Sequence, residues 1–258
     1  MIRIGVLGVG GRMGQAIVGE VQAEADTILV GGAERAGHRM CGSTIGEGLV
    51  VCANAQPVAH KADVLIDFTS PAALEENLRA AIDARCAILV GTTGLEPRHH
   101  RAIDEAARTI AVLQSPNTSL AVNLLASLVE RTAKALGPDY DIEIVELHHR
   151  HKVDAPSGTA LFLGEAAARG RGATLAALRL DPHETNRDAR RPAGIGFASL
   201  RGGSSPGEHK VIFAGEGERL ELAHIAETRE IFARGAVKAA RWLAGKPPAR
   251  YTMGDIFK

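Results

Sequence analysis

The sequence predicts an α/β protein in two parts, a parallel sheet followed by an α+β segment with a mixed sheet, and three observations predict it. The first 119 residues alternate short apolar runs with segments of helical period. A glycine-rich turn joins the first apolar run directly to the first helical segment. After Thr118 the alternation gives way to one long amphipathic stretch and then to strands with short connections.

The strands of the first part are IRIGVLG (2–8), TILVGGAE (27–34), DVLIDFT (63–69), AILVG (87–91) and IAVLQS (110–115). Their near-continuous apolar character suits strands covered on both faces. Between them, 12–24, 71–84 and 96–108 have helical period, the second opened by Ser70 as cap and Pro71 in its first turn. Such alternation implies right-handed crossovers in a parallel sheet. In the second part, 120–136 is an amphipathic helix, DIEIVELHH (141–149) a strand and 156–169 a helix. Residues 170–193 have little period, are the least readable part of the chain and are expected to contain an exposed, mobile loop. Three further strands follow, GIGFASLRGG, EHKVIFAG and ERLELAHIAE, and a last helix over 228–244 stops at Gly245 before Pro247 and Pro248.

Composition narrows the partners. With 30 Lys plus Arg against 30 Asp plus Glu, no global field draws the chain to nucleic acid or to an anionic membrane, so attraction for anions must be local. Cys41, Cys52 and Cys86 lack metal-binding or redox-motif spacing and read as reduced structural thiols. No apolar run approaches the ~18 residues of a membrane span, and the amino terminus enters a strand with no signal-peptide pattern. A cytoplasmic location is the expectation.

Strand 2–8 runs into Gly8, Gly10, Gly11 and Gly14, with Arg12 and Met13 between, before QAIVGEV begins a helix. This is the context of a dinucleotide site: glycine permits the tight turn and close backbone approach to pyrophosphate, and the helix amino terminus faces the phosphates. Glu34 ends the second strand about 20 residues on, where a carboxylate binds the adenosine ribose hydroxyls. The first part is therefore read as a Rossmann-like nucleotide domain. Arg35 beside Glu34 suits the 2′-phosphate of NADP, so NADH and NADPH both remain candidate cofactors. A Walker-type loop is excluded by the missing Gly-Lys-Ser/Thr ending.

The stretch ELHHRHKVDAPSGT (146–159) concentrates His148, His149, Arg150, His151 and Lys152 at a strand end. Strand alternation would point His149 and His151 one way and His148, Arg150 and Lys152 the other, unless 150–156 is already loop and turning blurs the alternation. A metal site would use His149 and His151, but no second ligand motif completes it, so no metal is expected. Histidine titrates near neutrality, which suits proton donation, while neighbouring cations hold carboxylates. Pro156, Ser157, Gly158 and Thr159 open a helix whose amides, with the Thr159 hydroxyl, form a second anion site. Two anion sites so close suggest a small dicarboxylate. Ser157 as a nucleophile is disfavoured because no GxSxG elbow surrounds it.

These residues resemble one family, 4-hydroxy-tetrahydrodipicolinate reductase (dihydrodipicolinate reductase) of the diaminopimelate and lysine pathway. GVGGRMG, IDFTSP (66–71), GTTG (91–94), ELHHRHKVDAPSGTA (146–160), IGFASLRGG (195–203), GEH (207–209) and ERLELAH (218–224) are similar to its motifs and stand in its order. The resemblance implies that NADH or NADPH delivers hydride to a cyclic, conjugated imine-type dicarboxylate, giving tetrahydrodipicolinate. It implies His148 as general acid and Lys152 as a substrate-binding residue to which proton donation is also open. It further implies His149, Gly158 and Thr159 as carboxylate contacts. Gly8, Arg12, Met13, Glu34 and Arg35 would hold the adenosine and phosphates, and Gly91, Thr92 and Thr93 the nicotinamide end. Ser115, Pro116, Asn117 and Thr118 would form a hinge that also touches cofactor. By the same resemblance 1–119 and 229–258 form the dinucleotide-binding domain and 120–228 the substrate-binding and oligomerisation domain, which closes on substrate and pairs its sheets in a homotetramer.

Two departures stand out. Thr118 occupies a position where the family often carries an aromatic ring, and 179–191, RLDPHETNRDARR, matches the family's closure loop poorly, with His183 read as an exposed loop residue. Two other functions remain at this point. Another two-domain NAD(P)-dependent oxidoreductase is one, although a semialdehyde dehydrogenase would need a reactive cysteine in the second part, where there is none. A dinucleotide-binding sensor without catalysis is the other, and the intact histidine cluster argues against it.

Overall fold

The computed structural model describes residues 1–180 and 190–258, and these form two compact units, Met1–Ser119 with Glu230–Lys258, and Leu120–Arg229. The chain begins with β1 (Ile2–Leu7), α1 (Arg12–Ala23), β2 (Thr27–Ala33), β3 (Thr44–Ile45), β4 (Leu49–Cys52) and α2 (Gln56–Ala59). It continues through β5 (Val64–Asp67), α3 (Pro71–Ala84), β6 (Ala87–Val90), α4 (Pro97–Ala106) and β7 (Ala111–Gln114). The second unit holds α5 (Leu120–Leu136), β8 (Asp141–His148), α6 (Gly158–Gly170), α7 (Leu175–Leu178), β9 (Ile195–Arg201), β10 (Gly207–Gly215) and β11 (Glu218–Ala226). The chain then returns to the first unit as α8 (Glu230–Leu243) and β12 (Ala249–Tyr251).

In the first unit the strands lie in the order β12-β7-β6-β5-β1-β2-β4-β3. All neighbours are parallel except the short β3–β4 hairpin. β5 and β6 are buried at every residue, as strands covered by helices on both faces must be. No sequence period marks an element between the second strand and 63, or after Gly245. β3, β4, α2 and β12 are two to four residues long, too short to show a period. Ser70 does occupy the cap position of α3, but its side chain makes no capping hydrogen bond; Pro71 at the first turn remains the start signal.

The second unit is a four-stranded mixed sheet, β11-β10-β8-β9, with β8 and β9 parallel and the other pairs antiparallel. β8 alternates strictly, so that Ile142, Ile144, Glu146 and His148 share the buried face. Ile142 and Ile144, with Val211 and Phe213 of β10, pack on Leu125 and Val129 of α5 and Leu163 of α6. The inward face thus starts apolar and ends in two ionisable side chains. One expectation needs correcting. The strand stops at His148 and 149–152 turn, so the alternation expected through Lys152 does not apply. The stretch 170–193 also contains α7, capped by the Thr174 hydroxyl, and Arg179 bridges to Ile195. His183 and most of the expected closure loop lie outside the described residues.

Candidate active site

Every candidate cofactor residue follows the carboxyl end of a parallel strand: Gly8 to Gly14 after β1, Glu34 and Arg35 after β2, Gly91 to Thr93 after β6, and Ser115 to Thr118 after β7. That edge is where open α/β sheets take ligands. The glycines there are needed for space. Gly8 has φ +83°, and a Cβ on Gly14 would sit 2.0 Å from the Gly8 carbonyl oxygen. A cavity of about 500 Å³ opens beside them, lined by Gly8, Gly10, Glu34, Arg35, His38 and Thr69 among others. Glu34 is anchored at its mouth, accepting from the Gly10 amide at 2.7 Å through Oε1 and from the Arg35 amide at 3.2 Å through Oε2. A glycine cradle with a carboxylate at its rim fits the phosphates and ribose of a nicotinamide dinucleotide.

Toward the other end of this edge, Asp67 closes β5 with a buried carboxylate that accepts from the Thr69 amide and hydroxyl, Asn77 and Thr92. The Thr92 hydroxyl is thereby committed to Asp67. The Phe68 ring lies over Gly91, where an added Cβ would come within 2.3 Å of it. Ser115 donates to the Asn117 carbonyl, and the buried Thr118 donates its hydroxyl to the Phe232 carbonyl on α8. The residue in place of an aromatic ring therefore faces the returning helix. Arg12 and Arg35 are exposed and Met13 half-buried.

In the second unit the ionisable end of β8 is organised around Glu146, 1% exposed. Arg201 grips it at two points, 2.8 and 2.9 Å. The Ser157 amide donates to Oε1 at 3.2 Å, and His148 Nδ1 lies 2.5 Å from Oε2. Burial by itself would raise this carboxyl, but hydrogen bonds from Arg201, Ser199 and His148 outweigh it and hold the group down at about 2. The His209 ring stacks edge-on against His148, centroids 5.1 Å apart, and burial pushes it down to about 3. Its Nε2 is 2.9 Å from the Ser157 hydroxyl, which also caps α6 by accepting from Ala160.

Outside this buried group lie the half-buried Lys152 and the exposed Arg229. Lys152 pairs with Asp154 at 2.8 Å, and Arg229 reaches His149 Nε2 at 3.2 Å. Burial, then the positive charge of Arg229, lowers His149. Gly158 and Thr159 form the first turn of α6, after the Ser157 cap. The structure thus brings His148, His149, Lys152, Gly158 and Thr159 to one end of the second unit. Glu146, Arg201, His209, Asp154 and Arg229 were not singled out from sequence. Glu146 left a signal in its place two residues before His148 and so on the same strand face, and Arg201, His209 and Asp154 lie within the quoted motifs IGFASLRGG, GEH and ELHHRHKVDAPSGTA. Among the described residues, no group of three or more His, Cys, Asp or Glu is placed to hold a metal ion, and no helix is long and apolar enough to cross a membrane.

Comparison with known proteins bears on this geometry. Residues 2–118 match the family described as dihydrodipicolinate reductase, N-terminus, and 121–257 match dihydrodipicolinate reductase, C-terminus. The chain is 48% identical to a 4-hydroxy-tetrahydrodipicolinate reductase of Methylocella silvestris, over 99% of this chain and 96% of that protein. It is 50% identical to one of Zymomonas mobilis, with the same coverage of both. Among solved structures, a dipicolinate-bound dihydrodipicolinate reductase from Paenisporosarcina sp. TG-14 shares the fold, with a TM-score of 0.81 at 24% identity over 99% of each chain.

Proposed function

The chain belongs to the dihydrodipicolinate reductase family, and from that premise we propose how its residues carry out the family's reaction. The protein is an NAD(P)H-dependent oxidoreductase that reduces 4-hydroxy-tetrahydrodipicolinate to tetrahydrodipicolinate in diaminopimelate and lysine biosynthesis. Overall the substrate gains a hydride and a proton and loses its hydroxyl as water.

The bound cofactor supplies the hydride. Gly8, Gly10, Gly11 and Gly14 let backbone amides at the start of α1 approach its phosphates, with Arg12 and Met13 beside them. Glu34 takes the ribose hydroxyls and Arg35 the 2′-phosphate when NADPH binds, so both cofactors are accepted. Gly91, Thr92 and Thr93 and the turn Ser115, Pro116, Asn117, Thr118 border the nicotinamide end. In the second unit His148 gives the proton that the reduced ring system takes up. Lys152 exchanges Asp154 for a substrate carboxylate. His149 and the first turn of α6, with Gly158 and Thr159, hold the two acid groups. The observation that carries this reading is the coincidence of a proton-bearing imidazole, a lysine and a helix amino terminus at one end of one small unit.

The face of the second unit's sheet away from α5 and α6 carries Val145, Leu147, Leu200, Ile212 and Ile225, with Leu200 52% and Ile225 65% exposed. Glu143, Glu208, Lys210 and Glu221 stand among them, and a mixed face with exposed apolar side chains suits pairing with a second copy; we assign the protein a homotetrameric state built on it. The unpaired thiols of Cys41, Cys52 and Cys86 agree with work in the reducing cytoplasm.

The test follows loss of reduced-nicotinamide absorbance with freshly generated 4-hydroxy-tetrahydrodipicolinate and either cofactor. Turnover with at least one is the expected result. Calorimetric binding of both cofactors without turnover would replace this reading with that of a dinucleotide-binding sensor.

A further inference from the structure

We infer that Glu146 is the positioning residue of His148: its buried carboxylate dictates which imidazole nitrogen faces the substrate and ties the proton donor to the anion cradle at the start of α6. This rests on the proposed reading of His148 as the acid and goes beyond it, because it explains how one ring nitrogen is selected.

A carboxylate sequestered from water is costly unless its lone pairs are met, and a guanidinium meeting it at two points is the strongest neutral-pH partner available. Both oxygens of Glu146 are occupied: Oε1 by Arg201 and the Ser157 amide, Oε2 by Arg201 and His148 Nδ1. An ionised carboxylate can only accept. His148 Nδ1 must therefore carry a hydrogen, and Nε2 is left as the nitrogen that takes up and hands over the mobile proton. The same logic of a carboxylate setting an imidazole's tautomer operates in hydrolase triads.

Two neighbours make the choice useful. β10 passes Nε2 at Gly207, where φ is +152° and an added Cβ would sit 2.9 Å from that nitrogen. Only a residue without a side chain leaves Nε2 uncovered on that side. His209 stacks on the ring while neutral, so it supports the plane of His148 without a competing charge. Ser157 completes the link. Its amide reaches Glu146, its hydroxyl caps α6 and meets His209, so the helix turn bearing Gly158 and Thr159 is registered to the same carboxylate that aims the acid.

Nitrogen-15 NMR of the imidazole groups in the full-length protein reads the tautomer directly, with the His148→Gln variant assigning its signal. When neutral, His148 should be the Nδ1–H form; an Nε2–H form in the unmodified protein overturns the inference and needs no variant to do so. Glu146→Gln offers a carboxamide that donates as readily as it accepts, so the tautomers should mix. Its kcat should fall ~10-fold or more while KM for substrate and cofactor moves less than about threefold. Should that variant fail to fold, Gly207→Ala takes its place: a methyl against Nε2 should lower kcat by a similar factor with the Nδ1–H form kept. A kcat unchanged in both variants, while His148→Gln is inactive, would refute the positioning role and leave the acid assignment standing. A fully active His148→Gln would instead remove the acid assignment itself.

Discussion

Two carboxylates, one in each unit, are almost wholly buried, and burial raises both, yet their net shifts run in opposite directions. Asp67 at the end of β5 is raised: burial dominates, and its partners Thr69, Asn77 and Thr92 are neutral donors that recover only part of the loss. Glu146 near the end of β8 is lowered to about 2, because a guanidinium and an imidazole stand against its oxygens. Burial depth is the same; the charge of the partners decides the sign. The difference suits each site. Asp67 gathers the Phe68–Thr69 turn and Thr92 through neutral donors at the carboxyl edge of the sheet. Glu146 stays ionised, where an imidazole must be held in one tautomer.

Removing each group sharpens the contrast most. Glu146→Ala leaves Arg201 facing an empty place and should cost about 3 kcal/mol or more, whereas Asp67→Asn keeps one acceptor and relieves a buried charge, and should change stability by about 1 kcal/mol. Denaturant titrations of both variants at neutral pH measure this, and equal losses would break the comparison. For activity, His148→Gln should lower kcat by ~10²-fold or more in steady-state assays with cofactor KM unaltered. A kcat within a fewfold of the parent would remove His148 from proton donation.

Acid should act on the two units with opposite sign. Neutral His209 in the fold competes with an unfolded imidazole that takes a proton below its ordinary 6.5, so the stability it contributes is whole above about 6.5 and is lost as pH falls toward 3. Glu146 adds to the same loss as pH falls from 4.5 toward 2, while the cost of ionised Asp67 eases on acidification. Thermal unfolding of His209→Gln across this range should be flatter between pH 6.5 and 4.5 than that of the parent; parallel curves would show that His209 does not carry that limb. The smallest effect belongs to the exposed rim of the first unit. Arg35→Ala should raise KM for NADPH by about fivefold or less and leave NADH nearly untouched, and an equal effect on both would take the 2′-phosphate role from Arg35.

The parallel strands, their helices and the glycine loop were legible because each is a local pattern: VLID and AILV are continuous apolar runs, and Gly8 to Gly14 sit between a strand and a helix. The histidine cluster was equally visible as composition. The arrangement that makes it work was not. Arg201 and His209 reach Glu146 and His148 only because β9 pairs His148 with Arg201 and β10 pairs Glu146 with His209. β3, β4, α2, α7 and β12 escaped for a different reason, being too short to repeat a period.

Taken alone, the chain's sequence determined the fold class, the order of its main strands and helices, the glycine turn and the place of the histidine cluster, since each depends on side chains within a few positions of one another. Only the tertiary structure decided which nitrogen of His148 meets Glu146 and which carboxylate is held down by charged partners. Strand periodicity specifies a face but not a register, and the register that assembles Glu146, His148, Arg201 and His209 is set by ladders of backbone hydrogen bonds and by packing against α5 and α6.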